Sequence, residues 1–410
     1  MISNLCIRCK GKGLCGHPCS ILARFKEKAP KVKEHFSGNS PPEIFVGRVG
    51  YPHVYSGILS PPSSTYEDKE TSILSTPEQW VKNNIPIDKI LEMRSQLIYG
   101  RKKTQIKTTS RDKLRQLTQE LALSSKPVST EVFLKKKPYL NFTASKFHQI
   151  ITNPAPIKSA KLEENPKVNK KIDYLTNDKD VLAENALTEL NKAKISTTHL
   201  QKLLAAGLLG RKKNRKLVPT RWAITAVDDT LGKELLEKIR YYPESGEIQL
   251  FHYDYNGNHF ECLLLPARLS FEVIEVSISG STWTEQIKAS KDVYMQDYEG
   301  FYSRKQYAKQ VVGAYYADRL AVCEYLNKIK KQATCLLLHE ERPEYYAPLG
   351  VGIIRESLRN MFKSNPDKPA NLKQALSIIS SRVKANMNKY KRLSWTLANY
   401  GKQKSLKEFI

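Results

Sequence analysis

The sequence lacks any long apolar run, and no segment approaches the roughly 18 apolar residues that a membrane-spanning helix requires. Its first ten residues, MISNLCIRCK, are too polar for a secretory signal peptide. We therefore expect a cytoplasmic protein without a membrane partner. Acidic residues are also scarce, because 41 Asp and Glu stand against 67 Lys and Arg and leave a formal charge of +26.

A positive surplus of this size predicts a field that attracts polyanions, of which nucleic acid is the commonest inside a cell. DNA is the favoured partner, and RNA remains an alternative that the composition permits. A generally Lys-rich proteome would also give this charge, and the charge says nothing about sequence specificity or catalysis. The hydrophobic fraction of 40% is that of a chain able to bury a core.

Cysteine is concentrated at one end of the chain instead of being spread as in a disulfide framework. The spacing Cys6-x2-Cys9 followed by Cys15-Gly-His17-Pro-Cys19 predicts a closed, structural Zn²⁺ site with four thiolate ligands. His17 would then be an alternate ligand or a neighbour of the ligands. Four cysteines also hold iron–sulfur clusters, so that alternative stays open.

The last eight residues end in an apolar pattern, Gln403-x-x-Leu406-x-x-Phe409-Ile410. Leu406, Phe409 and Ile410 share one face of a helical turn, so they can form an apolar plug, while the Gln403 amide can bond the edge of a receiving pocket. These residue types match the box by which proteins bind sliding clamps. The alternative is an apolar terminus that folds back onto its own core.

Three turn-rich internal stretches contain candidate binding and catalytic residues. Arg48 lies between two glycines, and Arg221 precedes Trp222, a combination that suits a phosphate next to a stacked base. Further candidates are Arg342 for phosphate or nucleotide binding, and Asp228, Asp229 and Glu340 as carboxylates. These carboxylates would hold Mg²⁺ in a nuclease or nucleotide-processing enzyme, which is the alternative to a binding protein.

Each of these residues also has a purely structural interpretation. Arg221 could pair with Asp228 or Asp229 in a buried ion pair, Trp222 could lie in the core, and residues 340–344 could form a solvated corner.

A second group of candidates is a basic knot that follows two predicted helices. Its cations, which would contact the DNA backbone, are Arg211, Lys212, Lys213, Arg215 and Lys216. Helix, helix, basic loop and a strand at 217–225 would make a winged-helix-like unit near 181–226. The alternative is a helix end with a solvated loop before a core strand.

Local signals predict several elements. Tyr255-Asn256-Gly257-Asn258 predicts a hairpin turn, and Thr76 followed by Pro77 predicts the start of a helix. A basic helix is expected from Ser20 to His35, and a final helix from Asn371 to Tyr390.

Strands and helices mix without regular βαβ alternation, so we expect an α+β fold. The zinc knuckle and a basic helix should occupy residues 1–36, an N-terminal α+β region with basic loops 37–180, and a central α+β domain 181–365. A C-terminal helix and linker should follow at 366–402, and the clamp-binding tail at 403–410.

Three long stretches carry a family resemblance, namely FSGNSPPEIFVGRVGYPHVYSG (36–57), LLGRKKNRKLVPTRWAITAVDD (208–229) and HEERPEYYAPLGVGIIRESLR (339–359). Together with the cysteine motif and the tail, they resemble the archaeal Nre DNA repair family. The resemblance implies a cytoplasmic repair factor recruited by the sliding clamp PCNA, with the zinc motif at Cys6, Cys9, Cys15 and Cys19. It implies no particular catalytic reaction.

Overall fold

The computed structural model describes residues 18–28, 30, 32–62, 67–107, 112–281 and 291–402. Cys6, Cys9, Cys15 and His17 of the cysteine motif therefore lie outside the described residues, as does the whole tail, 403–410. The described chain forms two compact units. The N-terminal unit comprises the described residues up to Leu231 together with Pro348–Ile353, and the C-terminal unit comprises those of Gly232–Ala347 and from Ile354 onward.

The N-terminal unit is built on a six-stranded sheet with the order β1-β5-β8-β4-β3-β2. Its strands are β1 His35–Ser40, β2 Ile44–Val46, β3 His53–Ser60, β4 Ile98–Gln105, β5 Val128–Leu134 and β8 Pro154–Leu162. A separate pair is formed by β6 Phe142–Thr143 and β7 Ile151–Thr152. All neighbours in the six-stranded sheet are antiparallel except β4 and β8, which run parallel.

Helices cover this sheet because alternate strand residues are apolar. In β5 the burial alternates residue by residue, as expected of a strand with one face on a core. The helices that begin in this unit are α1 Ser20–Lys28, α2 Asp68–Ile73, α3 Pro77–Lys82, α4 Ile87–Ser95, α5 Lys113–Leu123, α6 Lys170–Asn177, α7 Ala183–Lys192, α8 Thr197–Ala205 and α9 Thr220–Ile239. The core joins strand residues such as Val54 and Ile58 to Leu121 of α5 and Ala223 of α9.

The C-terminal unit has a five-stranded sheet with the order β12-β11-β13-β10-β9. Its strands are β9 Gln249–Tyr255, β10 Asn258–Leu265, β11 Ser270–Ser277, β12 Val293–Glu299 and β13 Thr334–Glu341, and only β11 and β13 pair in parallel. Its helices are α10 Gly313–Ile329, α11 Val351–Met361 (which begins in the other unit), α12 Leu372–Arg382, α13 Met387–Leu393 and α14 Trp395–Asn399.

A tight turn joins β9 to β10. Tyr255 pairs with Asn258, and the two turn residues both have left-handed backbone, with φ of 48° at Asn256 and 79° at Gly257. A side chain at Gly257 would start 2.3 Å from the backbone nitrogen of Tyr345, so glycine is required by space as well as by conformation. The hairpin predicted at these residues is confirmed.

One buried carboxylate fixes the C-terminal helices on this sheet. Glu272 of β11 accepts hydrogen bonds from the Ser394 hydroxyl at 2.7 Å and from the Trp395 and Thr396 amides at 2.8 Å. A carboxylate at the first amides of α14 favours the helix, because those amides have no partner within it. Ile379 and Tyr390 pack beside it on the apolar face of the sheet.

The mixed α+β class is confirmed, and the helix predicted to start at Thr76-Pro77 is present. The strand expected at 217–225 was wrong, since α9 begins at Thr220 and continues for 20 residues. The described residues therefore contain no strand there to form a wing. The single helix expected from Asn371 to Tyr390 is two helices, with Asn386 capping the second through its side-chain oxygen. The basic helix expected over 20–35 ends at Lys28. The division into five parts stays a prediction.

Candidate nucleic-acid interface

The loop between β2 and β3 has a tightly fixed backbone. The Gly47 amide donates to the Tyr55 carbonyl at 2.8 Å, and the His53 amide donates to the Gly50 carbonyl at 2.8 Å. Gly50 has a φ of 82°, and a side chain there would start 2.8 Å from the His53 carbonyl oxygen. The loop therefore presents the exposed residues Arg48, Val49 and Tyr51 on a fixed turn.

The start of α9 lies beside this loop. The Thr220 hydroxyl accepts a hydrogen bond of 2.9 Å from the Val46 amide, which ties the first helical residue to the end of β2. Trp222 consequently lies next to Tyr51, with their ring centroids 5.0 Å apart. Trp222 is 44% exposed and Tyr51 is 40% exposed, so the pair forms an aromatic platform open to solvent.

Arg221 lies beside the platform without an acidic partner. Its guanidinium carbon is 3.6 Å from the centroid of the Phe147 ring, and within the described part of the chain no carboxylate pairs with Arg221 or with Arg48. Burial, and then the charge of Arg48, lowers the pKa of Arg221 to about 10, so Arg221 is still charged at neutral pH. The guanidinium groups of Arg48 and Arg221 therefore lie close enough to affect each other, and neither has a carboxylate partner among the described residues.

The same positive charge acts on His148. Burial is the main cause that lowers the pKa of His148 to about 4, and Arg94, Arg221 and Arg48 lower it further. The imidazole is therefore neutral at pH 7, with Nδ1 2.8 Å from the Gln149 carbonyl oxygen. Burial disfavours a charge of either sign at this position, whereas the three arginines favour negative charge beside it.

A second group of exposed aromatic and cationic residues lies on β3 and β4 and at Tyr139. Tyr55 pairs with Lys103 across the two strands. The Arg101 guanidinium lies 4.4 Å from the centre of the Tyr55 ring and donates to the Tyr139 hydroxyl at 3.2 Å. Tyr55 and Tyr139 are both exposed. None of these four residues stood out in the sequence, and no local pattern marked them.

We call Arg48, Tyr51, Tyr55, Arg101, Lys103, Tyr139, Arg221 and Trp222 the aromatic–arginine surface. Guanidinium groups suit phosphate oxygens because they offer planar, charged donors. Exposed aromatic rings give bases a stacking surface, and such stacking tolerates any base. The surface therefore has the chemistry for binding a nucleic-acid strand with little sequence preference.

Two family models match the chain, archaeal Nre, N-terminal, over residues 14–284 and archaeal Nre, C-terminal, over residues 299–409. The chain belongs to the archaeal Nre family. It is 34% identical to DNA repair protein NreB of Archaeoglobus fulgidus over 406 residues, which cover 99% of this chain and 100% of the relative.

Two proteins named NreA are also similar to this Nre chain. DNA repair protein NreA of Archaeoglobus fulgidus is 35% identical over 390 residues, covering 93% of this chain and 95% of the relative. DNA repair protein NreA of Haloferax volcanii is 34% identical over 360 residues, covering 86% and 84%. No solved structure matches the chain. Among the described residues of this Nre protein, no helix is both long and apolar enough to cross a membrane.

Arg342 and Glu340 belong to the C-terminal unit, where each already has hydrogen-bond partners. The Arg342 guanidinium donates to the Glu340 carboxylate at 2.9 Å and to Asp254 at 3.2 Å. Glu340 is buried, and it also accepts from the Lys384 and Ala385 amides at 3.0 and 2.8 Å. These contacts give both residues a structural role in joining β13 to the segment after α12, and the solvated corner considered for residues 340–344 does not hold at Glu340.

Asp228 and Asp229 are buried in α9 of the N-terminal unit, and the Gln201 amide donates to Asp228 at 3.3 Å. Asp228 and Glu340 therefore belong to different units of the Nre protein. Within the described residues, no group of three His, Cys, Asp or Glu side chains could hold a metal ion. The Mg²⁺-dependent enzyme stays a prediction, and no observed contact favours it.

The basic knot divides into a structural and an exposed part. Arg215 donates to the carbonyls of Gly210 at 2.7 Å and Thr176 at 2.5 Å, and to that of Asp178, so it holds the loop together. Lys216 is half-buried. Arg211, Lys212 and Lys213 are exposed around a short 3₁₀ turn, where they remain available to a phosphate backbone. Cys19 is half-buried, and the other three predicted zinc ligands lie outside the described residues.

Proposed function

We propose that this Nre protein acts in DNA repair as a nucleic-acid-binding factor that uses the aromatic–arginine surface. The observation that carries the proposal is the adjacency of Arg48 and Arg221, without an acidic partner among the described residues, to the exposed pair Tyr51 and Trp222. Cations that lack counter-ions gain from a phosphate backbone, and the rings next to them gain from bases.

The names of the relatives support the repair context, since all three are called DNA repair proteins. The net charge of +26 supports a polyanionic partner. DNA is the favoured nucleic acid, and the site of action would be the cytoplasm. RNA is the alternative that a direct comparison must address.

Two further parts of the proposal rest on the sequence. The tail residues Gln403, Leu406, Phe409 and Ile410 would bind the PCNA clamp and deliver the protein to DNA. Cys6, Cys9, Cys15 and Cys19 would hold a structural Zn²⁺ ion, with His17 as the alternate ligand. Co-elution with PCNA should disappear when residues 403–410 are deleted, and metal analysis should find about one zinc per chain.

The surface is tested by fluorescence anisotropy with labelled single-stranded DNA, duplex DNA and RNA at matched salt. We expect binding by the full chain and weaker binding by Arg48→Ala, Arg221→Ala and Trp222→Ala. Lys170→Ala with Lys192→Ala is the matched control, because both lysines are exposed on helices of the same unit and lie outside both candidate sites. Lys212→Ala with Lys213→Ala tests the basic knot separately. Equal binding by the surface variants and the unaltered protein would refute the proposed surface.

A further inference from the structure

A cavity lies in the N-terminal unit, beside the aromatic–arginine surface. Its volume is about 60 Å³, and its walls include Phe45, Phe147 and His148. Thr220 and Phe147 belong to the cavity wall and also adjoin the surface. Thr220 directly precedes Arg221, and the Arg221 guanidinium stacks on the Phe147 ring. We call this space the Phe45 cavity.

Aromatic rings form one side of the Phe45 cavity. The ring centroids of Phe45 and His148 are 4.8 Å apart with an interplanar angle of 65°, and Tyr99 supports Phe45 from another direction at 5.4 Å. Because His148 is neutral at pH 7, both rings offer uncharged faces. A flat ring entering the cavity would gain stacking and edge contacts of the kind that aromatic side chains give to bases.

Two residues of the cavity wall, Ser75 and Gln149, contain buried polar atoms without partners among the described residues. These atoms are the Ser75 hydroxyl oxygen and the Gln149 side-chain oxygen. Ser75 itself is 1% exposed. Buried polar atoms nearly always have a partner, and leaving one unpaired is unfavourable. A rotation of either side chain toward the cavity would present a donor or an acceptor to a guest.

The Lys202 side chain also lines the cavity. Burial lowers the pKa of its amine, although the nearby carboxylates of Glu43 and Glu78 oppose this shift. Glu43 itself is held by Arg94 through two hydrogen bonds of 2.7 and 3.1 Å, so its carboxylate is already occupied. Lys202 can consequently donate a hydrogen bond to a carbonyl oxygen of a guest.

The size of the cavity limits the guest. A water molecule needs roughly 10–15 Å³, so the cavity of about 60 Å³ has room for about four to six waters. This space suits one heteroaromatic ring and is too small for the ring together with its sugar and phosphate. A guest with ring faces, polar edges and a phosphate left at Arg221 is a nucleotide whose base alone enters.

We propose that the Phe45 cavity receives one unpaired nucleobase from a strand whose backbone lies on Arg48 and Arg221. This inference rests on the proposed nucleic-acid surface. Taking a base out of a stack costs least when it is mismatched, damaged or already single-stranded, so such a pocket would favour irregular sites in DNA. A free nucleotide carries the same base and is the other source of the guest.

The test compares two duplexes that differ at one position, which holds either an unpaired thymine or an abasic tetrahydrofuran in its place. We expect the full-length protein to bind the thymine duplex about tenfold more tightly by anisotropy, in line with the stacking of one base. Thr198→Phe, which fills the cavity from the first turn of α8, should remove this preference.

Thr188→Phe is the matched control, since Thr188 is a half-buried threonine in α7 of the same unit and does not line the cavity. Gln149→Ala, which adds no volume, should reduce the preference by removing the unpaired oxygen. Thermal unfolding of each variant shows whether it is folded. Retention of the full preference by a folded Thr198→Phe protein would overturn the proposal.

Equal binding of both duplexes by the unaltered protein would also overturn it. If Arg48→Ala and Arg221→Ala still weakened binding in that case, the aromatic–arginine surface would stand without the base pocket. Calorimetry with thymidine 5′-monophosphate separates the two sources of the guest. The unaltered protein could bind the free nucleotide, lose that binding in Thr198→Phe, and bind the two duplexes equally. This result would assign the cavity to free nucleotides and refute base capture from a strand.

Discussion

The salt dependence of DNA binding follows from the cations on the aromatic–arginine surface. Arg48, Arg101, Lys103 and Arg221 have no acidic partner among the described residues. If each one neutralises one phosphate, a single strand should bind with a slope of log K against log salt of about −2.8, at roughly 0.7 per contact. Replacing Arg48 and Arg221 together by alanine should halve the slope to about −1.4.

This prediction can be measured by anisotropy titrations of the unaltered protein and the double variant between low and physiological salt. The slope separates a loss of phosphate contacts from a general loss of affinity. A general loss would lower log K equally at every salt concentration and leave the slope unchanged. The control variant Lys170→Ala with Lys192→Ala should keep the original slope. The knot variant Lys212→Ala with Lys213→Ala measures any phosphate contacts that the basic knot adds. A slope that is unchanged in the Arg48 and Arg221 variant but halved in the knot variant would move the binding site to the knot.

Three further predictions concern stability. Glu43→Ala leaves the buried Arg94 guanidinium without its carboxylate, and urea unfolding should show a loss of about 3–5 kcal/mol. Burial lowers the pKa of His199 from 6.5 to about 4, so the stability that its neutral form contributes should be lost as the pH falls from 6.5 to 4. In His199→Asn the urea midpoint should therefore depend less on pH over this range, and an unchanged dependence would refute the assignment to His199. Gly257→Ala should destabilise the fold by about 1–3 kcal/mol in the same assay, because its φ is 79° and the new side chain would meet Tyr345, whereas no loss would refute the turn geometry.

Local signals were read correctly from the sequence. Asn256-Gly257 predicts a tight hairpin because both residues adopt left-handed backbone at low cost, and Thr76-Pro77 predicts a helix start because proline fits the first helical turn. Both features depend only on neighbouring residues. They would form in much the same way in another protein.

The strand expected at 217–225 failed because tertiary packing overrides local preference. Threonine, tryptophan and isoleucine favour strands, yet Ala223, Val227 and Leu231 are all buried at a spacing of four residues, which is the period of a helix. Pro219 stands just before the first helical residue and was available as a start signal. Burial of this helical stripe decides the structure of the segment.

The sequence could not predict which distant residues come into contact. Arg48, Arg221 and Trp222 were each candidates, but the sequence did not show that the fold brings the two segments together through the contact of Val46 with Thr220. Arg342 was a candidate with the same chemistry, and the fold uses it to hold Glu340. A single sequence contains no signal that separates an arginine with a carboxylate partner from one without.

The contact between Val46 and Thr220 has a second consequence, which concerns association between chains. β2 is an edge strand of the six-stranded sheet, and the Val46 amide points away from β3 toward the open edge. Unpaired edge amides are templates on which another chain can add a strand and start aggregation. Because the Thr220 hydroxyl occupies this donor, the helix that contributes Arg221 and Trp222 also removes one edge amide on which another chain could add a strand.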